Sequence, residues 1–165
     1  MIYIYTDGSA RGNPGPGGWG VILKSGVHYK ELSGGFAHTT NNRMELFAVI
    51  MGLEAIRIKR AEVTVYSDSS YVCSAVNEGW LDSWIQKRFK GKKNEDLWLR
   101  FLEIYKRHRV TFIWIKGHAG HIENERCDQM AVEAALGKNL SEDIGYIHAN
   151  STTLFDKSKE KDIFT

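Results

Sequence analysis

Ile2-Tyr3-Ile4-Tyr5-Thr6-Asp7-Gly8-Ser9 opens the chain with bulky, β-favouring residues that run into an acid and a glycine. At period two, Ile2, Ile4 and Thr6 face one way and Tyr3, Tyr5 and Asp7 the other. Both faces are then largely apolar, as in a strand of a sheet covered on both sides. The pattern puts Asp7 at the strand's end, where an acid is more often a turn residue than a catalyst. A second strand, Glu62-Val63-Thr64-Val65-Tyr66-Ser67-Asp68, also ends in an acid. Between them a helix opens at Asn42, which suits an N-cap, with Glu45 three residues on completing a capping box. It continues through Leu46, Phe47, Ile50, Met51, Leu53 and Ile56 towards Lys59 and Arg60, which suit its C-terminus. Strand, helix and strand in this order place the two strands parallel through a right-handed crossover. Open α/β sheets keep their sites at the carboxyl ends of such strands. Asp7 and Asp68 are therefore expected on one rim, with Glu45 within reach of it, although capping alone would account for Glu45.

Ala10 to Trp19 holds both prolines and reads as a loop, either a long hairpin turn or a glycine-lined cradle for a phosphate or sugar. Gly20 to Lys24 and His28 to Phe36 complete an antiparallel meander. Ser70 to Asn77 reads as a short helix and Glu95 to Arg107 as a longer one, with Leu97, Trp98, Phe101, Leu102 and Tyr105 inward. From Ser83 to Lys93 the chain carries Lys87, Arg88, Lys90, Lys92 and Lys93 and no acid. Such a run is usually a solvated face, but Trp80, Trp84 and Phe89 interleaved with it favour a nucleic-acid contact. Val110 to Ile115 is the fifth strand; it leads through Lys116-Gly117-His118-Ala119-Gly120-His121 into a helix with Asp128 and an Ala131 and Ala135 stripe. Beyond Gly137 the periodicity fades.

The chain's 165 residues fit one domain with a real core. Neither a basic-then-apolar leader nor an apolar run long enough for a bilayer is present, so no membrane partner is expected. Cys73 and Cys127 lack metal-ligand spacing, which suggests reduced thiols in the cytoplasm. A net charge of +2 is too small by itself to argue for nucleic acid.

Thr6-Asp7-Gly8-Ser9, Thr40-Asn41-Asn42-Arg43-Met44-Glu45-Leu46, Ser67-Asp68-Ser69 and Lys116-Gly117-His118-Ala119-Gly120-His121 with Asn124-Glu125-Arg126-Cys127-Asp128 together resemble the bacterial type 1 ribonuclease H family. Each block is weak alone, whereas four in order over about Met1 to Tyr146 are specific. The resemblance implies an α/β fold, a five-stranded mixed sheet with helices on both faces. It divides the chain into a catalytic domain, 1–146, and a loosely ordered polar tail, 147–165. It also implies an endonuclease that hydrolyses the RNA strand of RNA–DNA hybrids, leaving 5′-phosphate and 3′-hydroxyl ends.

Asp7, Glu45, Asp68 and Asp128 are the carboxylates carried over, with His118 as an accessory histidine. Four acids on one rim repel one another and call for cations, and an all-oxygen set favours Mg²⁺, with Mn²⁺ as substitute. By resemblance Asp7 bridges two ions, Asp128 completes the one bearing the nucleophilic water, and Glu45 with Asp68 holds the other. His118 would assist proton movement or product release. The same resemblance implies that Asn13, Asn41 and Asn42 lie near sugars, Thr40 near a DNA phosphate and Trp80 against a deoxyribose, and the acid-free run Lys87, Arg88, Lys90, Lys92 and Lys93 is expected to supply affinity. His38 and Ser70 stand where arginine and glutamine are common at substrate contacts, and the basic segment is short for the family. A monomer of low processivity is expected, as no hybrid-binding domain precedes Met1. Rival readings are a binding module without catalysis, a DNA strand-transfer enzyme and a two-carboxylate glycosidase.

Overall fold

The computed structural model describes residues 1–151. Five strands form one sheet: β1 (Ile2–Ala10), β2 (Gly15–Ser25), β3 (His28–Thr39), β4 (Glu62–Ser67) and β5 (Arg109–Trp114), in the order β3-β2-β1-β4-β5. The β1–β2 and β2–β3 pairs are antiparallel; β1–β4 and β4–β5 are parallel. This is the expected mixed sheet. Its helices are α1 (Asn41–Glu54), α2 (Ser70–Asn77), α3 (Trp80–Gln86), α4 (Glu95–Tyr105), α5 (Ile122–Ala135) and a short α6 over 144–151.

On one face, Leu46, Val49, Ile50 and Leu53 of α1 pack with Ile4 and Val21 of the sheet and with Trp98 and Phe101 of α4. On the other, α5 sets Cys127 and Met130 against Ile22 and Tyr5. Burying these side chains on both faces of one sheet supplies the core's stabilisation, about 1.5–3 kcal/mol for each large apolar side chain.

The glycine-rich stretch after β1 is less of a loop than its composition suggests. β1 runs on to Ala10, and β2 already begins at Gly15, pairing Ala10 with Gly17 and Ser9 with Gly18. The reason lies in α5. A Cβ on Gly18 would stand 2.0 Å from the Ala131 carbonyl oxygen, and one on Gly20 2.5 Å from that of Cys127. These glycines let a helix backbone lie flush on the strand. Gly18→Ala is accordingly expected to cost about 1–3 kcal/mol by overpacking. Thermal denaturation should register this as a melting temperature lower by several degrees.

Helix ends also depart from expectation. Thr40, not Asn42, is the N-cap of α1, accepting from the Arg43 N–H at 3.3 Å. Glu45 completes no capping box with Asn42, because the helix has already begun at Asn41. α1 ends at Glu54, so Lys59 and Arg60 lie beyond it, and Arg60 adopts φ 50°. After Gly137 order resumes: Ser141 bridges Phe36 and α6 follows across the 146/147 boundary. The remainder of the expected loose tail, from 152 on, lies outside the described residues.

Candidate active site

Asp7 is not the last residue of its strand, since it still pairs with Gly20 of β2. What ends there is the parallel pairing, at Thr6 and Ser67, so Asp7 and Asp68 emerge side by side where β1 and β4 diverge. Gly8 then allows α1 to come down on this rim. A Cβ on Gly8 would meet the Met44 carbonyl carbon at 2.3 Å and the Glu45 nitrogen at 2.5 Å. Through that close approach the Gly8 N–H donates to Glu45 Oε1 at 2.5 Å and to Asp7 Oδ1 at 2.9 Å.

Carboxylate oxygens of Asp7, Glu45 and Asp68 all lie within 4.8 Å of one another. Asp128 and His118 line the same cleft, with Asn41, Asn42, Ser69, Ser70 and Tyr71. Neither lysine nor arginine is among its lining residues. Asp7 is only 7 % exposed. Burial pushes its pKa up to about 7; Asp68 and Asp128 add to the rise, while hydrogen bonds from Glu45 and the Gly8 N–H oppose it. Burial, and then the charge of Asp7, raises Glu45 well above the usual carboxylate range. An anionic, oxygen-only set of this kind fits a hard divalent ion.

His118 sits exposed on the loop after β5 in a left-handed conformation, φ 56°. Asn13 and Asn41 hold the β1–β2 turn against α1: the Asn41 N–H donates to Asn13 Oδ1 at 3.0 Å, and the Ala10 N–H to Asn41 Oδ1 at 2.5 Å. A second cleft meets the acid cleft at Asn42; Asn13, Thr40, Lys92, Lys93 and Tyr146 are among its lining residues. Trp80 is 47 % exposed at the start of α3, and Lys87, Arg88 and Lys90 are also exposed. None of these four lines either cleft.

The interleaved aromatics divide. Phe89 is buried, and Trp84 stacks on Tyr71 and meets Trp98 edge-on, so both are packing residues and only Trp80 is free to contact a ligand. Their helical and turn placement sends two of the three inward, which charge pattern alone could not reveal.

Arg43 is the residue that sequence reasoning passed over. It is buried, and Nε and Nη2 donate to Asp143 at 2.7 and 2.8 Å while Nη1 and Nη2 donate to Asp96 at 2.8 Å. Thr39 Oγ1 donates to Asp143 as well, at 2.7 Å. One guanidinium thus ties the first turn of α1 to the start of α4 and to the segment before α6. A buried-arginine signal was absent from the sequence because its two acids lie 53 and 100 residues away.

The family model described as RNase H matches residues 1–136, the span that carries all four acids. This chain belongs to the type 1 ribonuclease H family. Its activity is that of an endoribonuclease. The Ribonuclease H of Lachnoclostridium phytofermentans is 57% identical, covering 86% of this chain and 96% of that protein. That of Syntrophus aciditrophicus is 51% identical over 88% of this chain and 87% of its own length. Among solved structures, LC9-RNase H1, described as a type 1 RNase H with the type 2 active-site motif, superposes with a TM-score of 0.75. It is 31% identical and is matched over 84% of this chain and 73% of its own. LC11-RNase H1, solved with an RNA/DNA hybrid, gives 0.60 at 28% identity, with 82% and 96% covered. The five-stranded mixed sheet is thus common ground between this chain and its solved relatives. Among the described residues no helix is long and apolar enough to cross a membrane.

Proposed function

We propose that this ribonuclease H hydrolyses the RNA strand of RNA–DNA hybrids, leaving 5′-phosphate and 3′-hydroxyl ends. The observation that carries the reading is the cluster of Asp7, Glu45 and Asp68 oxygens within 4.8 Å, in a cleft free of lysine and arginine. These three, with Asp128, would hold Mg²⁺, or Mn²⁺ in its place. Bound as a pair, such ions supply charge stabilisation to the attacking and departing oxygens of an in-line displacement. Asp7 would be shared between the two, Asp128 would serve the side of the attacking water, and Glu45 with Asp68 the other. His118, on its exposed turn, would carry a proton to or from the reacting oxygens.

Hybrid contacts fall to amides and cations. Asn42, common to both clefts, suits a 2′-hydroxyl, because an amide donates and accepts. Asn13, Asn41 and Ser70 would lie along the RNA strand, Thr40 beside a DNA phosphate, and Trp80 against a deoxyribose. The enzyme is read as a cytoplasmic monomer with catalytic residues within 1–146; both its cysteines are free and buried. Incubating it with labelled hybrid, duplex RNA and duplex DNA, with and without Mg²⁺, tests this. Cleavage confined to the RNA of the hybrid, and only with metal, is expected. Cleavage in EDTA, or of duplex DNA, would sink it.

Lys87, Arg88, Lys90, Lys92 and Lys93 supply affinity in this reading. Replacing all five by alanine should weaken hybrid binding and reduce its salt slope by close to one for each phosphate that is no longer neutralised. An unchanged slope would make the segment a solvated face.

A further inference from the structure

A groove beside the acid cleft is lined by Ser70, Cys73, Ser74, Asn77, Glu78 and Trp114, with none of the four acids and not His118 among them. It lies between α2 and the end of β5, and Ser70 is common to it and to the acid cleft. Trp114 is 53 % exposed, although Phe112, two residues back on the same strand, is core. Its ring is nonetheless held: the indole N–H donates to the Asp68 backbone oxygen at 3.0 Å. A large aromatic face kept open and oriented offers a stacking platform to a base or a sugar. Glu78 is the single charged residue of the lining, and its sign disfavours a phosphate. Ser70 and Ser74 offer hydroxyls that pair with sugar hydroxyls and base edges.

The geometry points to a nucleotide subsite in which Trp114 stacks on a base or ribose of the substrate strand, one nucleotide beyond those held at the acids. The assignment rests on the hybrid-cleaving reading. It extends the binding surface along the rim from Lys93 and Asn42, through the acids and Ser70, to Trp114.

Hybrids shortened one nucleotide at a time from each end of the RNA strand, assayed with wild type, Trp114→Ala and Trp114→Phe, test it. Wild type should show a KM rise of about fivefold or more when the nucleotide at this subsite is removed. Trp114→Ala should carry that higher KM already on the long hybrid and lose nothing at the same step. Trp114→Phe, which keeps a smaller ring but no N–H, should fall between the two in KM. Equal losses by wild type and Trp114→Ala at every length overturn the subsite. So does a kcat lowered alike in both variants with KM unchanged, since Trp114 would then only orient Asp68. A wild type that cuts no hybrid of any length fails the activity reading and the subsite with it; normal cutting with an indifferent Trp114→Ala fails the subsite alone.

Discussion

Asp7→Asn is expected to abolish cleavage and, in EDTA at pH 7, to raise the melting temperature. Asp7 is buried beside Glu45 with Asp68 and Asp128 nearby, and its pKa stands at about 7 against an ordinary 3.8. A carboxyl raised in this way contributes stability that is fully present below pH 3.8 and is lost as pH rises through about 7. Over that window the metal-free wild type should weaken steadily as the pH rises. Asparagine has the same shape, still accepts from the Gly8 N–H, and has no charge to bury. The mutant's advantage in EDTA should therefore be several degrees at pH 7 and vanish near pH 4. Added Mg²⁺ should reverse the order, because an ion that binds only the folded site stabilises the wild type more. Melting curves across pH, in EDTA and in Mg²⁺, read all of this without an activity assay. A mutant that melts lower than wild type in EDTA at pH 7 would make Asp7 a structural turn residue instead.

The second large effect is expected at Arg43→Ala. The guanidinium is buried between Asp143, itself buried, and the half-exposed Asp96. Removing it leaves the buried Asp143 carboxylate without its countercharge, although Thr39 Oγ1 still donates to it, and breaking a buried pair in this way typically costs about 3–5 kcal/mol. At this chain length that is on the order of 10 °C in melting temperature. Burial pushes Asp96 up, but the hydrogen bonds and charge of Arg43 outweigh it and hold the carboxyl below its usual range. That stabilisation is present above the unfolded pKa and lost as pH falls through the folded one, so the wild type's acid-side slope should shrink in the mutant. Replacing Asp96 and Asp143 by asparagine alongside Arg43→Met should restore much of the loss, since the penalty comes from unpaired charge rather than missing volume. Failure of that triple variant to recover would assign the effect to packing alone.

Gly18 and Trp114 mark where local reading ran out. Period-two alternation in Ile2 to Thr6 and Val63 to Ser67, with helical spacing between, carried the parallel pair and the crossover. Those local patterns also put Asp7 and Asp68 on one rim, because strand direction and connection handedness leave few alternatives. Glycine, by contrast, carries no hydrophobic signal. Gly15 to Gly18 looked like loop but is strand, and Gly18 lacks a side chain where the backbone of α5 lies on it. Phe89 and Trp84 looked like ligand-facing rings, but Phe89 is part of the core and Trp84 packs on Tyr71 of α2 and Trp98 of α4.

Short-range patterns in the chain by itself determined most of the strands, the central crossover and the shared rim of Asp7 and Asp68, whereas Asp128 entered only through resemblance to the family. Tertiary structure alone decided that Gly8 lets Glu45 reach the rim, that Arg43 is buried between Asp96 and Asp143, and that the indole of Trp114 is tied to Asp68. The division follows from distance along the chain. Periodicity and capping act over a turn or two, whereas a buried charge or a helix-to-strand approach depends on partners tens of residues away, whose positions exist only once the sheet has formed.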